Sequence, residues 1–117
     1  MSKLASVEFT GKSGTKYSFN VYPIGEECPN ESGIYIFSKR EQNGSNFNHT
    51  VLYIGMAKSF ENRFYSHHKD GCVKNNGGNA ICLMPVKDEK QRTEIEKNLL
   101  GFYNTKCNEV LNPLTPK

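Results

Sequence analysis

The sequence predicts an α+β domain: a small mixed or antiparallel three-stranded sheet flanked by helices, preceded by an extra β-hairpin. Three observations carry this expectation. Strand-like and helix-like segments follow one another as strand, strand, helix, strand, helix, the order of a sheet with helices packed on it. Two aromatic and β-branched runs, Gly33–Phe37 and Val51–Gly55, suit half-buried strands. Apolar residues recur at helical spacing over Ile95, Leu99, Phe102 and Tyr103.

The first two runs, Val7–Thr10 and Tyr17–Tyr22, flank Gly11-Lys12-Ser13-Gly14 and read as a hairpin. Pro23 to Ser32, with Pro29 and Asn30, reads as a loop. Gln42 to His49 separates the two aromatic runs and is rich in turn formers, so those runs form an antiparallel pair with a long, wet connection. Ser59 is placed to cap a helix over Phe60–Lys69, with Phe60 and Phe64 on its buried face and Asp70-Gly71 at its end. After the turn cluster Asn75–Asn79 comes a third core strand, Ala80–Val86, in which Pro85 points to an edge or a strand end. Asp88 opens the last helix, and Gln91 three residues on gives a capping-box-like start. The expected organisation is one globular unit: residues 1–31 as hairpin extension and loop, 32–108 as the core, 109–117 as an irregular tail.

The 117 residues suffice for one core, and 36% hydrophobic with 23% charged residues describes a globular chain. No apolar run approaches the roughly 20 residues of a membrane helix, and the first residues lack a signal peptide's apolar stretch, so a cytoplasmic location is expected. Cys28, Cys72, Cys82 and Cys107 form no C-x-x-C pair and read as four reduced thiols, Cys82 in the core. The net charge of +3 permits nucleic-acid binding without demanding it. A small basic excess lies between Ala57 and Asn75, where Lys58, Arg63, Lys69 and Lys74 face only Glu61 and Asp70; a solvated basic face would look the same.

By strand alternation Ile34, Ile36, Leu52 and Ile54 build a core, and Tyr35 and Tyr53 project to the opposite face. Two phenols there could be an ordinary cross-strand aromatic pair. Gly33-Ile34-Tyr35 and Tyr53-Ile54-Gly55 resemble the two half-motifs of the GIY-YIG nuclease superfamily, with eighteen positions between the tyrosines. Arg63, eight positions after Gly55, falls where that family carries its catalytic arginine, and His67 stands one helical turn further, where several members have a histidine. Glu96 matches the family's metal-binding glutamate; Leu99-Leu100 and then Asn108, twelve positions after Glu96, match its closing pattern. The sequence departs from the family at Met56, where a serine or lysine is common, and before Asn108, where a proline is common.

The resemblance implies a single domain that hydrolyses DNA with Mg²⁺ or Mn²⁺, RNA remaining open. Tyr35, Tyr53, Arg63, His67, Glu96 and Asn108 are the expected catalytic set, with Glu96 on the metal, and Gly55, Lys58, Lys69 and Lys74 are expected near substrate. The chemistry of these side chains agrees. A hard divalent ion needs only one or two carboxylates. A guanidinium fork suits phosphate oxygens. A histidine changes charge near neutral pH. Tyrosine, ordinarily titrating near 10, needs a nearby cation to serve as a base. Asn108 is expected to hold Glu96 or the backbone in place. The plainer alternatives are a Glu96–Arg92 ion pair, a surface role for Arg63 beside Glu61 or Asp70, and an idle His67. With no reading element in view, specificity is expected to come from core loops, a homo-oligomer or a protein partner docking on the hairpin, and the work to be structure-selective or non-specific cutting in DNA repair or recombination. The alternative is a catalytically silent binding or assembly module, or a subunit active only with a partner.

Overall fold

The computed structural model describes residues 3–25, 28–63 and 70–108, and of Asn62, Arg63 and Asp70 the backbone alone. The elements are β1 (Ala5–Thr10), β2 (Lys16–Pro23), β3 (Gly33–Asn43), β4 (Asn46–Ala57), α1 (Phe60–Arg63), α2 (Asp70–Asn75), β5 (Ala80–Pro85) and α3 (Glu89–Leu100). All five strands join one curled sheet in the order β1-β2-β5-β3-β4, every pair antiparallel. This corrects the three-stranded, helix-flanked sheet expected from sequence. The N-terminal hairpin is no appendage, because Asn20–Pro23 pairs with Leu83–Ala80 and makes β5 the central strand. Pro85 therefore marks the end of a strand and not an edge; as the last residue it breaks no ladder. Helix is a minor component, about 20%.

The sheet buries both faces. On one, Phe9, Phe19, Val21, Ile34, Ile36, Val51, Ile54 and Cys82 pack with Ile95, Leu99 and Tyr103. On the other, Tyr35, Phe37, Leu52, Tyr53, Ile81 and Leu83 pack with Phe60, Val73 and Cys107. Strand alternation divides the residues as expected, with one exception. The register slips between Phe37 and Ser38, which face Tyr53 and Val51, so Leu52 is an extra residue in β4. The bulge turns Leu52 to the tyrosine face, against the expectation that it lies with the isoleucines.

α3 begins as the sequence predicts: the Asp88 side chain accepts a hydrogen bond from the Gln91 N–H at 3.3 Å. It stops at Leu100, so Phe102 falls outside the predicted stripe and is exposed, while Tyr103 turns in and its hydroxyl accepts the Thr10 N–H at 3.2 Å. The hairpin tip also docks on this helix. Lys12 N–H donates to the Asn98 carbonyl at 2.9 Å, and the Asn98 amide reaches the Tyr17 hydroxyl at 2.6 Å. The hairpin is thus anchored to α3 by its tip. The helix expected over Phe60–Lys69 is described only as far as Arg63; Ser59 donates to Asn30 Oδ1 at 2.7 Å, and Phe64 lies outside the described residues. Asp70-Gly71 opens α2 instead of ending a helix.

Cys72 and Cys107 are joined by a disulfide across a sequence separation of 35, which corrects the reading of four reduced thiols. The fold creates this pair by bringing α2 beside the segment that follows α3. Cys82 behaves as the sequence predicts: fully buried, its thiol is pushed up to about 12, chiefly because the low-dielectric core disfavours thiolate. No helix among the described residues is long and apolar enough to cross a membrane.

Candidate active site at the edge of β4

The two half-motifs lie side by side. Tyr35 faces Gly55 directly across the β3–β4 ladder, and Ile36 faces Ile54. A Cβ on Gly55 would sit 2.6 Å from both Cζ and the hydroxyl oxygen of Tyr35. The bare Gly55 backbone therefore lets the phenol of Tyr35 extend across β4 toward the free edge of the sheet. Gly33 is required for a similar reason: a Cβ there would strike the Met84 carbonyl and the Phe60 ring. Tyr35 and Tyr53 share one face, their rings 5.8 Å apart and tilted by 30°, with Phe37 edge-on to Tyr35 at 5.6 Å. Both rings are deep in the core, Tyr35 at 0% and Tyr53 at 8% exposure.

β4 is an edge strand, so its outward N–H and C=O groups need partners from elsewhere. Asn108 supplies them. Its Oδ1 accepts the Ile54 N–H at 2.8 Å and its Nδ2 donates to the Ile54 carbonyl at 2.8 Å, as a paired strand would. Thr105, buried beside it, donates to the same Oδ1 at 2.6 Å. One residue back, the Cys107 N–H donates to the carbonyl of the bulged Leu52 at 2.8 Å. Of the two roles expected for Asn108, holding Glu96 or holding the backbone, these bonds build the second. With its oxygen accepting twice and its nitrogen donating once, Asn108 clamps the β4 backbone.

α3, which carries Glu96, packs on the opposite face of the sheet from the two tyrosines. Arg92, Ile95 and Leu99 point from α3 into the core, and Thr93 Oγ1 contacts Met56 Sδ of β4 at 3.9 Å. Glu96 is half-buried and stands three residues after Thr93, on the same flank of the helix by spacing. Arg92 Nη1 donates to the carbonyls of Val86 and Lys87 at 3.1 and 2.8 Å. Among the described residues no group of three or more His, Cys, Asp or Glu side chains could cage an ion. A hydrated Mg²⁺ or Mn²⁺ resting on one carboxylate fits these residues.

The remaining predicted residues are placed in part. Arg63 ends α1, a few residues beyond β4, with its side chain outside the description. Lys58 is exposed in the link from β4 to α1, and Lys74 is exposed in the last turn of α2. Gly55 is buried under Tyr35. His67 and Lys69 lie outside the described residues. Sequence reading missed Thr105, and no local signal marks it, because its role exists only where residues 105–108 meet β4.

One curated relative is similar to most of this chain. UvrABC system protein C of Fervidobacterium nodosum is 33% identical over 94 residues. The match takes in 77% of this chain but 15% of that protein, so the chain corresponds to a small part of its relative. No family profile matches the chain. No solved structure matches it either.

Proposed function

We propose that this chain is a GIY-YIG-type endonuclease that hydrolyses DNA phosphodiester bonds with Mg²⁺ or Mn²⁺, in repair or recombination. One observation carries the reading: the Tyr35 phenol lies across Gly55 in the edge strand that Asn108 grips. The similarity to UvrABC system protein C supports it from sequence.

In this reading Glu96 holds the ion, which when bound would polarise the scissile phosphate and stabilise the leaving oxygen. Tyr35 or Tyr53 accepts or relays the proton of the attacking water, with His67 able to share that work. Arg63 offers two N–H groups to phosphate oxygens as negative charge grows. Lys58, Lys69 and Lys74 hold the flanking backbone, and Gly55 keeps the space above β4 open for the phenol. Asn108 and Thr105 fix the strand carrying Tyr53. Specificity beyond this comes from a partner or a second copy.

The test is incubation of the chain with supercoiled, linear, branched and single-stranded DNA, with and without Mg²⁺. Cleavage is expected only with the ion. Glu96→Gln should abolish cutting and leave the fold and DNA affinity intact. Arg63→Lys should lose most of the single-turnover rate at saturating DNA, because a point charge does not replace a bidentate fork. Cutting by the Glu96 variant at the parental rate would remove the metal assignment. A second reading rests on the burial of both tyrosine rings, which suits a purely structural pair in a silent binding module. That module binds DNA and cuts no substrate with either ion.

A further inference from the structure

β3 and β4 run past the rest of the sheet. β5 begins at Ala80, opposite Ser38, so residues 39–43 and 46–50 continue as a two-stranded ribbon closed by a two-residue turn. Gly44 takes φ 65° there, a left-handed conformation that suits glycine. The sequence had read this stretch as a loop. An isolated two-stranded ribbon is marginal in water. This one is fastened at its base. The Asn79 side chain accepts the Arg40 N–H at 2.7 Å and donates to the Arg40 carbonyl at 3.0 Å. Ser38 Oγ meets His49 Nδ1 at 2.9 Å, and His49 packs edge-on against Phe9. The histidine's pKa is lowered, first by burial and then by Arg40, both of which disfavour the charged imidazolium.

Beyond the base, the ribbon presents Gln42, Asn43, Asn46 and Asn48, all exposed, and a single large apolar side chain, Phe47, 45% exposed. The Arg40 guanidinium sits over that ring, its Cζ 3.7 Å from the centroid, and its buried Nε has no hydrogen-bond partner among the described residues. An arginine that gives up a hydrogen bond to back a solvent-facing ring holds one ring face in a fixed orientation and leaves the other open. The ribbon's one acid, Glu41, is tied to Lys39 at 3.7 Å, leaving Arg40 as its unpaired charge. An open aromatic face with a cation behind it and carboxamides around it is how unpaired nucleotides are held: the ring stacks a base, and amide donors and acceptors meet its edge.

Resting on the nuclease reading above, we infer that the β3–β4 ribbon is an arm that captures unpaired nucleotides of the substrate, with a base stacked on Phe47. The seven residue steps from Tyr35 to Gln42 span about 23 Å of strand. That is roughly seven base-pair steps, so the captured bases lie that far from the cut.

The experiment measures affinity by fluorescence anisotropy in EDTA, for a labelled single-stranded oligonucleotide and its duplex, with the parent chain, F47A and F47W. Thermal unfolding verifies that the variants are folded, as expected for an exposed ring. F47A should weaken single-strand binding about tenfold, the usual effect of losing one stacked base, with duplex binding changed far less. F47W should bind the single strand at least as well as the parent. F47A binding like the parent, or equal weakening toward single strand and duplex, overturns the stacking arm and leaves the nuclease reading standing. A dimeric parent that F47A makes monomeric assigns the ring to a second copy and also overturns it. A parent chain that binds neither DNA defeats the nuclease reading itself.

Discussion

Gly33 and Gly55 show how single atoms shape the candidate site. Neither has a positive φ, so the requirement is space and not backbone conformation. Gly55 accommodates the Tyr35 phenol, and Gly33 accommodates the Met84 carbonyl. Gly55→Ala must displace a fully buried ring. Overpacking of this kind costs about 1–3 kcal/mol. The expected result is a lower urea midpoint together with a cleavage rate reduced beyond what the unfolded fraction explains, since the phenol is moved from the sheet edge. A variant that unfolds earlier but cuts at the parental rate per folded molecule would show that the Tyr35 position is immaterial to chemistry. The motif residues were legible in the sequence only through their resemblance to a known family; the crowding that calls for glycine at these positions appears in the folded structure. The direction in which the phenol runs was not legible, because it depends on a partner strand eighteen or more positions away.

At the scale of elements, β4 is defined by its open edge and its bulge. A sheet edge exposes unpaired backbone groups, and Asn108 closes one pair of them as if it were a strand. Removing it leaves the Ile54 groups to find water in a half-buried place, a loss of about 1–3 kcal/mol. Asn108→Ala is therefore expected to lower stability by that amount, read by chemical denaturation, and to reduce cleavage through misplacement of Tyr53. Asn108→Asp keeps the acceptor for the Ile54 N–H but has no donor for the carbonyl, so it should fall between the two. Wild-type stability in Asn108→Ala would deny the clamp. Sequence placed Asn108 by its distance from Glu96, and it predicted strand alternation correctly for Ile34, Ile36 and Ile54. It did not reveal the bulge at Leu52, because an inserted residue in a uniformly apolar run leaves no trace in the pattern.

At the scale of the whole molecule, the disulfide between Cys72 and Cys107 ties α2 to the segment that carries Asn108. Closing a loop of that sequence separation stabilises by about 3–4 kcal/mol on chain entropy. Replacing both cysteines by serine should lower the guanidinium midpoint to that extent, and the reducing agent that lowers the parent's midpoint should leave the variant unchanged. A parent insensitive to reductant would show that the bond contributes nothing. The variant also measures how far the Asn108 clamp depends on this tie, through its cleavage rate.

Local sequence determined the strand segments, the start of α3 and the buried Cys82, because periodicity and capping act over a few positions; the candidate site residues were named by the resemblance of their motifs. Tertiary structure decided what pairs over long range. It inserted the N-terminal hairpin beside β5 and made a five-stranded sheet, since β5 offered a free edge that Asn20–Pro23 could satisfy. It joined Cys72 to Cys107 and set Thr105 and Asn108 against β4, contacts among segments brought together only when the core forms. It also turned the stretch read as a loop into a ribbon, because strand pairing already begun between β3 and β4 continues at little cost until Gly44 permits the turn.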